Sequence, residues 1–172
     1  MAEEAVTRSG TVNIDSDYMD DYYVYDHSIN WYGVAIDGSI GLFMSEGTAI
    51  HSYVRKSISA QRICNTHMRS LPIVCKCTRD PNTETYVKSY LSKSMRKVYW
   101  GEPTEMARRG FYVYLSSHDY ELEIDEPYRR LIMPDRPLKI DMVMQDIAEY
   151  IKNIQVPIIF GDTEFIQHSL II

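Results

Sequence analysis

Three cysteines and one histidine lie close together in the sequence and could ligate a metal. Cys64 and His67 are one helical turn apart, and Cys75 and Cys77 share one side of a predicted strand. Thiolates and imidazoles are the usual ligands of zinc. The spacing matches no familiar zinc motif, however, and two small core residues explain the Cys-Lys-Cys sequence equally well. We expect no metal, although the sequence alone leaves a site of these four side chains open.

Nucleophilic catalysis and phosphate binding have no recognisable motif in this chain. No Gly-x-Ser-x-Gly elbow occurs, and the five histidines share no motif. The IDGSIG stretch at 36–41 lacks the Lys-Ser/Thr pair of a phosphate-binding loop and opens a strand, not a helix. We therefore predict no catalytic residue, no cofactor and no enzyme. A small enzyme whose site no motif reveals stays an alternative.

The middle of the chain is strongly basic. Residues 55–109 hold twelve Lys and Arg against four Asp and Glu. Tyr86, Tyr90, Tyr99 and Trp100 lie among them, and such a combination could contact phosphates and stack on bases. The net charge of the whole chain, −6, argues against nucleic acid, since these cations can pair with acidic stretches of the same fold. We expect no nucleic-acid partner, and nucleic-acid binding through 55–109 is the alternative.

The densest run of acidic residues predicts a surface for a basic protein. Its spacing matches no known calcium loop, and it falls between two predicted strands, where its carboxylates would be exposed. Clustered exposed carboxylates attract and orient a basic partner. The predicted partner-binding residues are Asp119, Glu121, Glu123, Asp125 and Glu126.

These residues must be positioned by a mixture of strands and helices. Asp37-Gly38 predicts a tight turn that pairs Tyr32–Ile36 with Ile40–Met44. The Tyr-rich stretch 21–26 that precedes this hairpin also favours strand. Further along, the periodicity predicts helices over 48–71, 83–100 and 102–109, strands over 73–78, 111–115 and 128–133, a helix from Asp141 to about Ile154, and two short terminal strands at 156–160 and 165–171.

The predicted fold is one α+β domain with a mostly antiparallel sheet, a helical middle segment and one C-terminal helix. Residues 1–20 are predicted to be a flexible acidic arm, and 21–172 the domain. No run of 18 apolar residues occurs, and the N-terminus lacks the basic start and apolar stretch of a signal peptide. With three cysteines, an odd number, we expect a cytoplasmic protein without disulfides and without membrane contact.

Four blocks of the chain, taken in order, resemble one group of small bacterial proteins. The blocks are WYGVAIDGSIGLFMSEG at 31–47, RSLP at 69–72, EMARRGFYVY at 105–114 and YRRLIMPDRPLKIDMVMQDIAEYI at 128–151. The group is that of immunity and immunity-like proteins of polymorphic and contact-dependent toxin systems. This chain departs from the pattern by keeping only Gly47 where the group often has several glycines, and by its longer acidic N-terminus.

The resemblance implies a binding protein that has no catalytic residues. It would neutralise a cognate toxin domain by tight non-covalent association. If that toxin is a nuclease, its basic cleft would attract an acidic inhibitor.

Overall fold

The computed structural model describes residues 17–47, 50–116 and 128–171. The strands are β1 Ser28–Val34, β2 Ile40–Glu46, β3 Cys77–Arg79, β4 Tyr112–Ser116, β5 Tyr128–Pro134 and β6 Phe165–Ile166. The helices are α1 Asp21–Asp26, α2 Ile58–Ser70, α3 Pro81–Tyr90, α4 Lys93–Tyr99, α5 Gly101–Arg108 and α6 Gln145–Ile151. None of the helices in these three ranges is both long enough and apolar enough to cross a bilayer.

The strands form one sheet in the order β1-β2-β4-β5-β3, with β6 pairing along β5 as well. Every strand pair is antiparallel except β2 with β4. The chain passes through α2, β3, α3, α4 and α5 between these two parallel strands. The predicted α+β class, with a mostly antiparallel sheet and a helical middle, is confirmed.

The first hairpin turns at Asp37-Gly38 and its second strand begins at Ile40, both as predicted, but its first strand ends two residues earlier, at Val34. The last strand pair is Val34 with Ile40, and Ile36 is 70% exposed. The loop is longer because the Asp37 carboxylate accepts hydrogen bonds from the Ser39 amide at 3.1 Å and the Ser39 hydroxyl at 2.5 Å. A turn stabilised by the Asp37 side chain is therefore found where a two-residue turn was predicted.

The predicted extended conformation of 21–26 is wrong, because these residues form α1. The Asp20 carboxylate accepts a hydrogen bond from the Tyr23 amide at 2.7 Å, which caps the helix. The His27 ring stacks on Tyr23 with centroids 4.0 Å apart. Local capping has therefore outweighed the strand preference of the tyrosines.

The predicted helix over 48–71 begins late, at Ile58. α2 starts after Ser57, whose hydroxyl accepts from the Ala60 amide at 3.0 Å. Its buried residues are Gln61, Cys64 and Met68, whereas Ile63 is 63% exposed. The Ser57 cap sets where the helix starts, and on its buried side the Gln61 amide donates to the Asn30 carbonyl of β1.

The helix predicted to start at Asp141 is shorter than expected. Ile140–Met142 forms a separate 3-10 turn, and α6 begins only at Gln145, without a side-chain cap. Ile147, Ile151 and Ile154 are buried as predicted. Of the two predicted terminal strands, the second is reduced to β6, and the first is not a strand.

Aromatic rings fill the centre of the core. The Phe43 ring stacks on Trp31 at 4.1 Å and lies 5.4 Å from Tyr114 and 5.8 Å from Phe160, measured between centroids. The Trp31 indole N–H donates to the Tyr128 hydroxyl at 3.0 Å. Each of these rings is essentially inaccessible to solvent.

The last residues of the predicted N-terminal arm pack against the domain. Met19 is 1% exposed, and its amide donates to the Arg55 carbonyl at 2.8 Å. The Asp17 carboxylate accepts from the Ser57 hydroxyl and, at 2.8 Å, from the Ser59 amide. Residues 1–16 lie outside the described ranges.

Candidate partner-binding site

The cysteines and His67 are not gathered into a metal site within the described residues, where no group of three or more possible ligands lies together. The Cys75 sulfur is 3.4 Å from the Ala107 carbonyl oxygen, and the Cys77 sulfur 4.0 Å from that of Thr104. Both thiols therefore lie against the backbone of α5. Cys64 belongs instead to the buried side of α2.

None of the three thiols is activated as a nucleophile in this arrangement. Burial raises the pKa of Cys64 to about 12. Burial also raises the pKa of Cys75 and of Cys77 above the ordinary thiol value. Because the thiolate is the reactive form, all three are weak nucleophiles near neutral pH.

The glycines of the first hairpin serve the backbone. A Cβ atom added to Gly41 would lie 2.8 Å from Cζ of the buried Phe160 ring. Gly47 has φ +77°, and a Cβ there would lie 2.8 Å from the Tyr25 carbonyl oxygen. These two positions require glycine for packing and for a left-handed conformation.

The predicted acidic surface Asp119, Glu121, Glu123, Asp125 and Glu126 lies outside the described residues and stays a prediction. The strands on either side of it are described. Ser116 ends β4, and its hydroxyl accepts a hydrogen bond from the Glu46 amide at 3.2 Å. Tyr128 begins β5, and both residues are buried. The acidic segment therefore connects two firmly packed strand ends.

The helical hairpin of α3 and α4 buries few of its residues. Asp80 caps α3 by accepting from the Asn82 amide at 3.0 Å, and α3 packs Thr83 and Val87 inward. Ser92 caps α4, which buries no residue at all. A helix of seven residues is marginal in water without tertiary packing. Most side chains of this hairpin are exposed to solvent.

One side of the hairpin is aromatic and apolar, and we call it the aromatic surface. On α3 the Tyr86 and Tyr90 rings are 4.8 Å apart, and their residues are 42% and 52% exposed. The Tyr90 and Tyr99 side chains are neighbours, because each contributes to the pKa shift of the other. Helical spacing places Met95 and Val98, 57% and 82% exposed, on the Tyr99 side of α4.

An arginine from the sheet supports the aromatic surface. The Arg129 guanidinium lies 4.7 Å from the Tyr86 ring centroid and 4.9 Å from that of Phe165. Burial raises the pKa of Tyr99, with a further contribution from Tyr90. The surface therefore combines the Tyr86 ring, which Arg129 contacts by a cation–π interaction, with tyrosine hydroxyl groups that stay protonated at neutral pH.

The other side of the hairpin is a basic groove of about 870 Å³. Lys93, Arg96 and Lys97 line it from α4, spaced three and four residues apart. Its complete lining is Arg79, Glu84, Lys88, Lys93, Ser94, Arg96, Lys97 and Trp100.

Among the described residues, Glu84 is the one carboxylate that lines this groove. It accepts from Arg79 at 3.2 Å and from Lys88 at 3.3 Å, and these hydrogen bonds lower the pKa of Glu84. The Arg79 guanidinium also lies 4.8 Å above the Trp100 ring. Within the described ranges, no carboxylate forms a salt bridge with the three α4 cations.

The aromatic surface was not predicted from the sequence. The pattern over 83–100 predicts one helix with Tyr86, Tyr90 or Leu91, and Met95 on one side, whereas the chain breaks at Leu91 and Ser92 into two helices. The available signal was Ser92, a typical N-cap residue, followed by a second amphipathic turn. Recognising that cap would have separated the helices.

No protein-family model matches this chain, and no curated protein and no solved structure matches it.

Proposed function

We propose that this chain is a non-enzymatic binding protein that neutralises a toxin domain by tight non-covalent association, as immunity proteins do. The observation that carries the proposal is α4, an exposed helix that buries no residue and continues the aromatic surface. Contiguous exposed apolar residues on a small protein mark interaction sites. A partner that packs against such a helix buries the side chains that this chain leaves exposed.

The composition of the aromatic surface supports a protein partner. Tyrosine, methionine and arginine are enriched in protein interfaces, and Tyr and Arg dominate their energetic hot spots. Tyr86, Tyr90 and Met95 lie on the hairpin, and Arg129 lies directly beneath Tyr86. Tyrosine contributes large contact area at a small cost in side-chain entropy.

The acidic segment 119–126 provides a second contact in this proposal. The acidic excess of the chain lies in 1–16 and 117–127, which carry −2 and −5, so the described fold is close to charge balance at +1. A toxin with a basic cleft, such as a nuclease, would meet the carboxylates of this segment, which speed association. The encounter takes place in the cytoplasm of the producing cell.

A growth assay tests the proposal. We expect the gene next to that of this chain to encode a large protein with a C-terminal toxin domain. That domain, expressed in a bacterial host, should stop growth, and co-expression of this chain should restore it. The double variant Tyr86→Ala with Tyr90→Ala should bind the domain at least about 30-fold more weakly, as expected for a hot spot worth about 2 kcal/mol.

The matched control is Tyr22→Ala with Tyr25→Ala, which removes two tyrosines of α1 that are even more exposed, at 67% and 78%. It should neutralise the toxin like the wild-type protein. Failure of the wild-type chain to restore growth would overturn the inhibitor function. Full neutralisation by a folded Tyr86→Ala, Tyr90→Ala protein would remove the aromatic surface from the interface.

Nucleic-acid binding through 55–109 is the second candidate, and the basic groove is the observation that favours it. Of the twelve basic residues in this segment, the groove collects Arg79, Lys88, Lys93, Arg96 and Lys97. A phosphate backbone is one ligand for such a groove.

A further inference from the structure

We infer that the basic groove binds an acidic segment of the partner protein, rich in Asp and Glu. The inference rests on the proposed function and names the chemistry of the partner at a second face of the same hairpin. Three features of the groove carry it, all judged from the described residues: a charge that is mostly uncompensated, the lack of an accessible aromatic face, and its position behind the aromatic surface.

The charge of the groove is compensated at one end only. Glu84 is shared by Arg79 and Lys88, which leaves these two cations partly neutralised. Lys93, Arg96 and Lys97 have no carboxylate within salt-bridge distance anywhere in the described ranges. Lys93 and Lys97 are exposed and Arg96 is half-buried, so all three can donate to carboxylates that enter the groove.

The groove offers no aromatic face on which a base could stack. Trp100 is 3% exposed, and Arg79 lies over its ring. Tyr86 and Tyr90 lie on the opposite side of α3 from Glu84 and Lys88, by helical spacing. Proteins that bind single strands combine cations with stacking platforms, and here the two are separated by the width of a helix.

The position of the groove favours a protein ligand. The groove and the aromatic surface flank the same helix, α4, which has no buried residue. When a partner covers the apolar side of α4, the edge of its interface lies against the basic side of the same helix. An acidic rim pairs with the three cations, and this arrangement resembles a helix held in an apolar groove with charged edges.

Binding of an acidic peptide to the isolated chain tests the inference without any toxin. The probe is a fluorescein-labelled peptide of about ten glutamates, with a deoxythymidine oligomer of equal charge for comparison. We expect the wild-type chain to bind the peptide more tightly than the oligomer. Lys93→Glu with Arg96→Glu and Lys97→Glu should weaken peptide binding by about tenfold or more, since attraction becomes repulsion.

Two controls make the result specific to the groove. Lys56→Glu with Arg62→Glu and Lys152→Glu makes the same change of charge at exposed cations outside the groove, and should change peptide affinity less than about threefold. If the glutamate variant of the groove does not fold, the corresponding triple glutamine variant replaces it. Trp100 gives a direct readout: peptide should shift its indole NMR signal and leave that of the core Trp31 unchanged.

Equal loss of peptide binding in both triple variants, or a Trp100 signal that does not move, would overturn the inference. Tighter binding of the oligomer than of the peptide, lost in the groove variant, would also overturn it and assign the groove to nucleic acid. These outcomes are independent of growth rescue, so the proposed function and this inference can fail separately.

Discussion

The buried ion pair of Arg130 and Asp80 connects the sheet to the start of α3. The Asp80 carboxylate accepts from Arg130 Nε at 3.1 Å and Nη2 at 2.9 Å, and it also caps α3. The Arg130 Nη1 atom donates to the carbonyls of Phe160 and Gly161 at 2.9 and 2.6 Å. Each polar group of this pair therefore has a partner, as burial requires.

Removing one member of this pair should be strongly destabilising. Asp80→Ala leaves a buried guanidinium without its counter-charge, and should lower the free energy of unfolding by about 3–5 kcal/mol. Urea denaturation measures the change. Glu105→Ala removes only the exposed partner of Arg109, whose guanidinium still donates to the Leu71 and Glu105 carbonyls, and should cost less than about 1 kcal/mol. Similar losses in the two variants would contradict the structural role of the buried pair.

Asp37 makes stability depend on pH at the acidic end. Burial alone would raise the pKa of Asp37, but hydrogen bonds from Lys139 and Ser39 outweigh it and lower the pKa from 3.8 to about 2. A carboxyl whose pKa is depressed on folding stabilises the fold above its unfolded pKa. Its contribution is lost as pH falls from about 4 to about 2. Asp37→Asn should therefore flatten the fall of unfolding free energy across this range, and parallel curves for both proteins would contradict it.

At the scale of elements, capping side chains explain why the starts of some helices were predicted wrongly while strands were predicted well. Strands with dense apolar residues, such as β4 and β5, lie where the pattern predicts them. Helices that begin at a cap did not follow apolar periodicity: Asp20 starts α1 within a Tyr-rich stretch, and Ser57 starts α2 after a 3-10 turn. The exposure of Tyr86 and Tyr90 was equally hard to predict, because amphipathic spacing does not show which face of a helix packs against the core.

Hydrogen exchange should distinguish α4 from its neighbour α5. α4 buries no residue, whereas α5 buries Pro103, Met106 and Ala107 against the sheet. Local opening costs less where few apolar contacts are lost, so amides of α4 should exchange faster than those of α5 in the free protein. Equal protection of both helices would mean that the isolated chain already stabilises α4.

The whole molecule consists of a nearly neutral fold and two acidic segments. The sequence predicted its fold class but not the surface that we propose binds a partner. The alternation of strand and helix patterns was enough for the α+β class. The aromatic surface and the basic groove depend on the angle between two short helices, and no local pattern specifies that angle. Charge density pointed to 119–126, which marks a candidate contact without identifying the residues that anchor a partner.

Truncation should separate the N-terminal segment into two parts. Deleting 1–16 should leave the melting temperature within a few degrees, because these residues are polar and acidic without apolar spacing. Deleting through 20 removes buried Met19, the Asp17 contacts to Ser57 and Ser59, and the Asp20 cap, and should lower it clearly. Equal melting temperatures for both truncations, measured by circular dichroism, would show that Met19 contributes nothing.

The central claim is that the α3–α4 hairpin is the surface that a toxin domain covers. Hydrogen exchange of this chain, measured alone and in complex with the toxin domain that we propose it neutralises, tests the claim most directly. We predict slower exchange on binding across Pro81–Tyr90 and Lys93–Tyr99, with α1 and α6 unchanged. Protection confined to other segments, with α4 exchanging as fast in the complex as in the free chain, would contradict it.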